Sequence, residues 1–234
     1  MHRIVSFYQE DLPEELVVLQ KRVFDHFSIP LEQVKFPVDN NGHAYAIEDY
    51  LRSTHDWSSI TIFDVDCVPF ERVAIDRALD LIKDGNTVYG NIQASNTGEH
   101  SPYKSPPFAA PSFLNFTRNI WDDYIKIWDN KKTTNGVFQF QHYPNPDGIE
   151  VEADVAEVFT RENEKRGVRI MLAYPTKSPY DDTWKYKAYF GYPYFSYGNC
   201  TEFASGTCHN FQIRIPDKQR YFIKYCNNIL NENK

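Results

Sequence analysis

The chain contains 234 residues, which is enough to bury one hydrophobic core or a core with an appendage. Its hydrophobic fraction of 41% excludes a disordered chain, and its net charge of −7 argues against a general binder of nucleic acids or anionic membranes. The first residues lack the apolar segment of a secretion signal, and no apolar run is long enough to span a membrane. We therefore expect a cytoplasmic protein with no membrane span and no nucleic-acid partner.

Strands and helices alternate along residues 1–92. Runs of β-forming residues predict the strands, and apolar residues at helical spacing predict the helices. The elements are strand 3–8, helix 13–27, strand 33–36, helix 44–52, strand 60–63, helix 70–83 and strand 87–92. This alternation predicts an α/β fold with a mainly parallel central sheet flanked by helices. The chain lacks the glycine-rich motifs of dinucleotide-binding and P-loop proteins.

The second half of the chain has a less regular pattern. Residues 94–107 are rich in Ser, Asn, Gly and Pro, which predicts a loop. The elements predicted after it are strand 108–116, helix 117–128, strand 136–143, helix 155–165, strand 168–174, strand 210–215 and helix 216–230. No repeat or shift in composition divides the sequence, so we expect a single domain over residues 1–234.

Two carboxylates follow the third predicted strand directly. The apolar run 60–63 ends in Asp64 and Asp66, which Val65 separates. In an extended chain this spacing places both carboxylates on the same side, and their burial is costly unless a positive charge holds them. Proteins commonly bind Mg²⁺ or Mn²⁺ with one or two carboxylates plus substrate phosphates. The pattern therefore predicts a metal site, with Pro69 in the first turn of the helix that follows.

The order of an apolar strand, Asp64-Val65-Asp66 and a proline-led helix resembles the Asp-x-Asp centre of the GT-A glycosyltransferases. The compact chain is also similar to small glycosyltransferase domains of large DNA viruses and phages, which would place it in a host cytoplasm. The resemblance implies a GT-A fold, with a nucleotide-binding half (1–92), an acceptor-side half (93–215) and a C-terminal helix (216–234). It also implies transfer of a sugar from a nucleotide sugar, first of all a UDP-sugar, to a hydroxyl of a glycan or another acceptor. The implied cofactor is Mn²⁺ or Mg²⁺.

The resemblance places the nucleotide over the carboxyl ends of the first strands. The residues that it implies for donor binding are Ser6, Phe7, Tyr8, Gln9, Asp39, His43, Asp64, Val65 and Asp66. Tyr8 can stack on a base, and backbone N–H groups at the helix start near His43 would favour phosphate. Core packing of Phe7, an ordinary turn at Asp39 and a plain surface role for His43 are the alternatives.

Two acidic residues mark the acceptor side. Asp154 and Glu152 resemble the acidic helix start that follows the acceptor-side strand in this family. In an inverting enzyme one of them would be the general base for the acceptor hydroxyl, whereas in a retaining enzyme it would hold hydroxyls of the donor sugar. Capping of the helix by Asp154 is a complete alternative explanation, and we expect Glu157 on the solvent face.

A late histidine would complete the implied metal site. His209, at the start of the predicted strand 210–215, matches in relative position a histidine that several GT-A families supply as a third metal ligand. Neutral imidazole is an acceptable ligand beside Asp64 and Asp66. The alternative is a strand-edge histidine without a metal.

The cysteines give no sign of a structural zinc site. Cys67, Cys200, Cys208 and Cys226 lack the Cys-x-x-Cys spacing of such sites. We expect reduced thiols, with a bridge between Cys200 and Cys208 across a hairpin as the alternative.

Two other functions compete with glycosyl transfer. A sugar nucleotidyltransferase shares the α/β architecture, but it normally carries a glycine-rich, basic segment after the first strand, and residues 6–11 have none. A non-catalytic carbohydrate-binding module fits the aromatic content of 16%, but it leaves the paired carboxylates at the end of a strand unexplained.

Overall fold

The computed structural model describes residues 1–38, 42–93, 107–130, 142–144, 150–152, 154–180, 185–189, 192–196 and 199–232. Its strands are β1 (His2–Gln9), β2 (Glu32–Phe36), β3 (Ser59–Asp64), β4 (Cys67–Pro69), β5 (Thr87–Gln93), β6 (Phe108–Thr117), β7 (His142–Pro144), β8 (Glu150–Glu152), β9 (Arg169–Ala173), β10 (Pro175–Lys177), β11 (Lys185–Tyr189), β12 (Tyr192–Ser196), β13 (Thr201–Phe203) and β14 (Thr207–His209). Its helices are α1 (Glu14–His26), α2 (Gly42–Ser53), α3 (Ala74–Ile82), α4 (Arg118–Asn130), α5 (Glu157–Lys165) and α6 (Pro216–Asn231).

The main sheet has six strands in the order β2-β1-β3-β6-β5-β9. Strand β1 pairs in parallel with β2 and β3, and β5 pairs in parallel with β9. Strand β6 is antiparallel to both of its neighbours, β3 and β5, so the other five strands all run in one direction. Two short hairpins, β7-β8 and β11-β12, form separate two-stranded sheets.

Helices cover both faces of the main sheet. Successive side chains of β1 enter different hydrophobic clusters, Ile4 the first and Val5 the second. Helices α1, α3 and α6 contribute to the first cluster, and helices α2, α4 and α5 to the second. Fully buried side chains such as Leu16 and Phe159 each contribute about 1.5–3 kcal/mol of transfer free energy. The predicted α/β class, with a mainly parallel sheet flanked by helices, is confirmed, whereas the GT-A assignment and the division of the single domain stay predictions.

A second, four-stranded sheet corrects two of the predicted elements. Its order is β10-β13-β14-β4. Pro69 does not open a helix, because residues 67–69 form β4, which pairs antiparallel with β14, and α3 begins only at Ala74. The strand predicted over residues 210–215 is also wrong: β14 ends at His209, and Gln212 lies in a turn with a left-handed φ of 66°.

Other predictions have mixed outcomes. The first two helices, the fourth strand and the last helix agree with α1, α2, β5 and α6 to within a few residues. Of the predicted strand 136–143, only residues 142 and 143 are among the described residues, in β7. All four cysteines are buried and free, so the alternative bridge between Cys200 and Cys208 is not formed. Within the described ranges, every helix is too short or too polar to cross a bilayer.

Candidate metal centre

The paired carboxylates lie where β3 leaves the main sheet. Ile60, Ile62 and Phe63 of this strand are completely buried, so the strand ends at a fixed place in the core. Asp64 is its last residue, and Asp66 lies in the two-residue turn that leads into β4. Because β1 and β3 are parallel, their carboxyl ends lie at the same edge of the sheet.

Pairing between β4 and β14 brings His209 to the carboxylates. Cys67 is opposite His209 in this pairing, and the backbone N–H of Asn210 donates to the carbonyl of Asp66 over 2.9 Å. The His209 Nε2 atom lies 3.1 Å from Asp66 Oδ1 and 3.8 Å from Asp64 Oδ2. One ligand atom from each of these residues lies within 4.8 Å of the others. The structure therefore brings together the three residues that the sequence named as metal ligands.

The electrostatics of this Asp64–Asp66–His209 cluster favour a cation. Burial raises the pKa of Asp64, the negative charge of Asp66 raises it further, and His43 and His209 oppose the shift. In the described part of the chain, no lysine or arginine is among the groups that act on Asp64. Burial alone would lower the pKa of His209, but the two carboxylates outweigh burial and raise it. Within the described ranges, the two histidines are thus the positive groups that face the two carboxylates, and a divalent cation would supply further positive charge through ligands that suit Mn²⁺ or Mg²⁺.

A buried glutamine of α1 holds the turn that carries the carboxylates. The Gln20 side-chain amide donates to the carbonyl of Asp64 over 2.8 Å and to the carbonyl of Cys67 over 3.0 Å. Gln33 of β2 in turn donates to Gln20 Oε1 over 3.1 Å. Sequence analysis missed Gln20, which the structure shows to be fully buried. The usable signal was a glutamine at helical spacing from the apolar residues Leu16 and Val23.

A polar network connects β14 to the main sheet. Asn91 of β5 donates to Thr207 Oγ1 over 3.0 Å and accepts from Ser205 Oγ over 2.8 Å. All three side chains are buried, so each hydrogen bond is costly to break. The network fixes the turn before His209. Asn91 is more than 110 residues from Ser205 and Thr207 in sequence, so no local sequence pattern indicated the network.

His43 approaches the cluster from the other side of Asp64. It is the second residue of α2, and its ring stacks on Phe36 with a centroid separation of 5.5 Å and an interplanar angle of 9°. The Phe7 ring lies 6.2 Å away on a tilt. His43 Nε2 is 3.3 Å from Asp64 Oδ1. His43 is therefore a half-buried residue of the site and not a plain surface histidine.

The end of β1 contributes buried polar atoms to the predicted donor site. Ser6 and Gln9 are buried, and among the described residues neither Ser6 Oγ nor Gln9 Oε1 has a hydrogen-bond partner. Phe7 is a core residue that packs edge-on against Tyr50, which agrees with core packing as the alternative to donor binding. Tyr8 packs, partly buried, against the first hydrophobic cluster. The role of these four β1 residues in donor binding stays a prediction.

Two further residues, Val65 and Asp39, were predicted to bind the donor. Val65 is buried in the first hydrophobic cluster, between the two carboxylates in sequence. Asp39 lies outside the described residues.

On the acceptor side, Asp154 occupies a partly buried, negatively charged environment. Gln93 Nε2 donates to Asp154 Oδ2 over 2.6 Å, and the Val155 N–H donates to Oδ1 over 2.8 Å. Burial raises the pKa of Asp154 to about 6, and the charges of Glu157 and Asp64 add to the shift. The N-cap of α5 is Ala156, two residues after Asp154. Because Asp154 also bonds backbone N–H groups just before the helix, its role as general base and its role in capping both stay predictions.

The structure also places the two other acidic residues near the start of α5, Glu157 and Glu152. Glu157 is fully buried and accepts a hydrogen bond from the Asp154 N–H over 3.0 Å. Its predicted place on the solvent face is therefore wrong. Glu152 is in β8, opposite His142, and its side chain lies outside the described part of the chain.

Comparisons with known proteins give only distant similarities. No family model matches the chain, and no curated protein matches it. Among solved structures, A197 from STIV has a TM-score of 0.40 at 14% identity, over 72% of this chain and 80% of its own. A putative glucose-1-phosphate thymidylyltransferase from Bacillus anthracis has a TM-score of 0.40 at 10% identity, over 75% and 87%. HddC from Yersinia pseudotuberculosis has a TM-score of 0.36 at 10% identity, over 71% and 100%. Similarities at this level establish neither the fold family nor the activity.

Proposed function

We propose that this chain is a metal-dependent glycosyltransferase that moves a sugar from a nucleotide sugar, first of all a UDP-sugar, to an acceptor hydroxyl on a glycan. The observation that carries the proposal is the Asp64–Asp66–His209 cluster. It joins two carboxylates and an imidazole at the carboxyl end of β3, where open α/β sheets bind ligands. The resemblance of the Asp-x-Asp segment to GT-A enzymes supports the same activity.

The cluster would hold Mn²⁺ or Mg²⁺ through Asp64, Asp66 and His209. When bound, the cation would supply positive charge to the donor diphosphate and stabilise the nucleotide as a leaving group. The protein supplies the rest of the arrangement: Gln20 fixes the turn that carries the carboxylates, and the network around Asn91 fixes the strand that carries His209.

We assign Asp154 as the general base for the acceptor. Its pKa of about 6 is close to neutral pH, which suits a group that must be ionised and still bind a proton well. The Asp154 carboxylate would take the proton of the acceptor hydroxyl as the new bond to the anomeric carbon forms and the bond to the diphosphate breaks. The charge of Asp64 acts on Asp154, which agrees with acceptor and donor sites that share one region. Orientation of donor-sugar hydroxyls by Asp154 is the retaining alternative.

The direct test is release of nucleoside diphosphate from a panel of nucleotide sugars in the presence of Mn²⁺. We expect slow hydrolysis of one donor without acceptor, and its loss with EDTA or in Asp66→Asn. A parallel reaction with nucleoside triphosphates and sugar 1-phosphates tests the nucleotidyltransferase alternative. Pyrophosphate release in that reaction, with no turnover of any nucleotide sugar, would contradict the proposal.

A further inference from the structure

Asp64 presents its two carboxylate oxygens to two different histidines. Oδ2 faces His209 at 3.8 Å, on the side of the proposed metal. Oδ1 faces His43 at 3.3 Å. Both Oδ1 and the His43 Nε2 atom are inaccessible to solvent, and in the described part of the chain neither has a partner with full hydrogen-bond geometry. A buried carboxylate oxygen in this state is costly, and His43 is the group placed to satisfy it.

The surroundings of His43 fix the direction of its ring. Stacking on Phe36 sets the ring plane, and Phe7 closes one side. Phe7 is also the β1 residue opposite Asp64 in the main sheet. These contacts restrict the plane of the imidazole, and in the observed orientation its Nε2 atom is directed at Asp64.

We infer that His43 is a positioning residue, which orients the Asp64 carboxylate so that Oδ2 points into the metal site. This inference rests on the proposed function, because it requires the Asp64–Asp66–His209 cluster to bind a cation. His43 Nε2 lies 3.3 Å from Oδ1 and would donate to it when Asp64 holds the metal. Partners of this kind fix ligand geometry, and their loss typically weakens metal affinity 10- to 100-fold.

Two substitutions separate the hydrogen bond from ring packing. His43→Phe keeps an aromatic ring between Phe36 and Phe7 but removes the donor, whereas His43→Gln keeps an amide donor near the Nε2 position and removes the ring. His55→Phe is the matched control, because His55 is exposed. The probe is Mn²⁺ alone, titrated into the full chain by calorimetry, with the melting temperature of each metal-free variant measured beside it.

We expect His43→Phe to weaken Mn²⁺ binding about tenfold while its metal-free melting temperature stays at or above that of the wild type. His43→Gln should retain most of the affinity, and His55→Phe should match the wild type. In an Asp64→Asn background, His43→Phe should cause no further loss, because the two residues act through one contact. An unchanged affinity in His43→Phe, or an equal loss in both Asp64 backgrounds, would overturn the inference while leaving the metal site intact.

Pulsed EPR of bound Mn²⁺ distinguishes a positioning residue from a direct ligand. We expect coupling to one histidine nitrogen, which His209→Ala abolishes and His43→Phe leaves unchanged. Loss of a nitrogen coupling in His43→Phe would make His43 a ligand and overturn its positioning role. Absence of Mn²⁺ binding by the wild type would overturn the metal site itself, and the inference with it.

Discussion

At the scale of single residues, Asp66 is the ligand with the most direct contact to the rest of the cluster. Its Oδ1 is 3.1 Å from His209 Nε2, and its side chain is buried. Asp66→Asn keeps the shape of the side chain and removes the charge that a divalent cation needs. We expect Mn²⁺ affinity to fall more than about tenfold, measured by calorimetry, with a melting temperature close to that of the wild type. Wild-type affinity in this variant would remove Asp66 from the site.

The raised pKa of Asp154 predicts how activity depends on pH. A general base acts in its ionised form, so kcat/KM should fall as the pH drops below about 6. Asp154→Asn should lower kcat by about 10²- to 10⁴-fold and leave Mn²⁺ binding unchanged. A flat pH profile between pH 5 and 7, measured at about one-unit steps around the Asp154 pKa, would contradict the assignment.

The same pKa also predicts an effect on stability. Because the folded-state pKa of Asp154 is raised, the folded protein favours the protonated side chain, and this contribution is lost as the pH rises through about 6. A neutral asparagine should therefore make the folded state more stable at pH 7, measured as a higher melting temperature. At pH 4 the difference should shrink, since Asp154 is then protonated. Destabilisation by Asp154→Asn at pH 7 would point to a structural role.

At the scale of elements, the turn between β3 and β4 depends on α1. Gln20→Leu would leave the carbonyls of Asp64 and Cys67 without their side-chain donor, which costs about 1–3 kcal/mol per buried unsatisfied group. We expect a lower free energy of unfolding in denaturant titrations and weaker Mn²⁺ binding. Gln33→Leu is the graded comparison. It removes the bonds from Gln33 to Gln20 and to the Val17 carbonyl but leaves both bonds from Gln20 to the turn, so its effect on Mn²⁺ affinity should be smaller. If Gln20→Leu and Gln33→Leu lowered the Mn²⁺ affinity equally, Gln20 would not act through its two bonds to the turn.

Long periodic elements of this chain were predictable, and short ones were not. Helix α1 and strand β3 have enough apolar residues at a regular spacing to reveal their type. Strands β4 and β14 have three residues each, which is too few for a period. Pro69 suggested a helix start, but its neighbours pair with a strand about 140 residues away in sequence. That long-range pairing decides the local structure.

The candidate site also contains residues that the sequence revealed and residues that it did not. Asp64 and Asp66 are adjacent to a strong strand pattern, so their place at the sheet edge followed from the sequence. His209 was named only from its relative position in a resembling family, and it reaches Asp66 through the β4–β14 pairing. The contacts of Gln20 and His43 with the Asp64 segment depend on helix packing across the sheet, which no local pattern encodes.

At the scale of the whole molecule, a bound cation should stabilise the fold. The three ligands come from two segments that are far apart in sequence: Asp64 ends β3 of the main sheet, Asp66 lies in the turn that follows, and His209 ends β14 of the second sheet. An unfolded chain would lose this arrangement, so Mn²⁺ should bind the folded state preferentially. At a concentration of about 100 times Kd, linkage predicts about 2.7 kcal/mol of added stability, measured as an EDTA-reversible rise in melting temperature. At the same Mn²⁺ concentration, Asp66→Asn should show a much smaller rise in melting temperature.

The proposed function requires the Asp64–Asp66–His209 cluster to bind a metal that in turn binds a nucleoside diphosphate. Calorimetric titration of UDP, GDP and other nucleotides, with and without Mn²⁺, measures this binding. We predict that one nucleotide, first of all UDP, binds with micromolar affinity only when Mn²⁺ is present, and that Asp66→Asn abolishes this binding. If no nucleotide binds under either condition, the proposed glycosyltransferase activity is wrong, and a carbohydrate-binding module without catalysis becomes the better hypothesis.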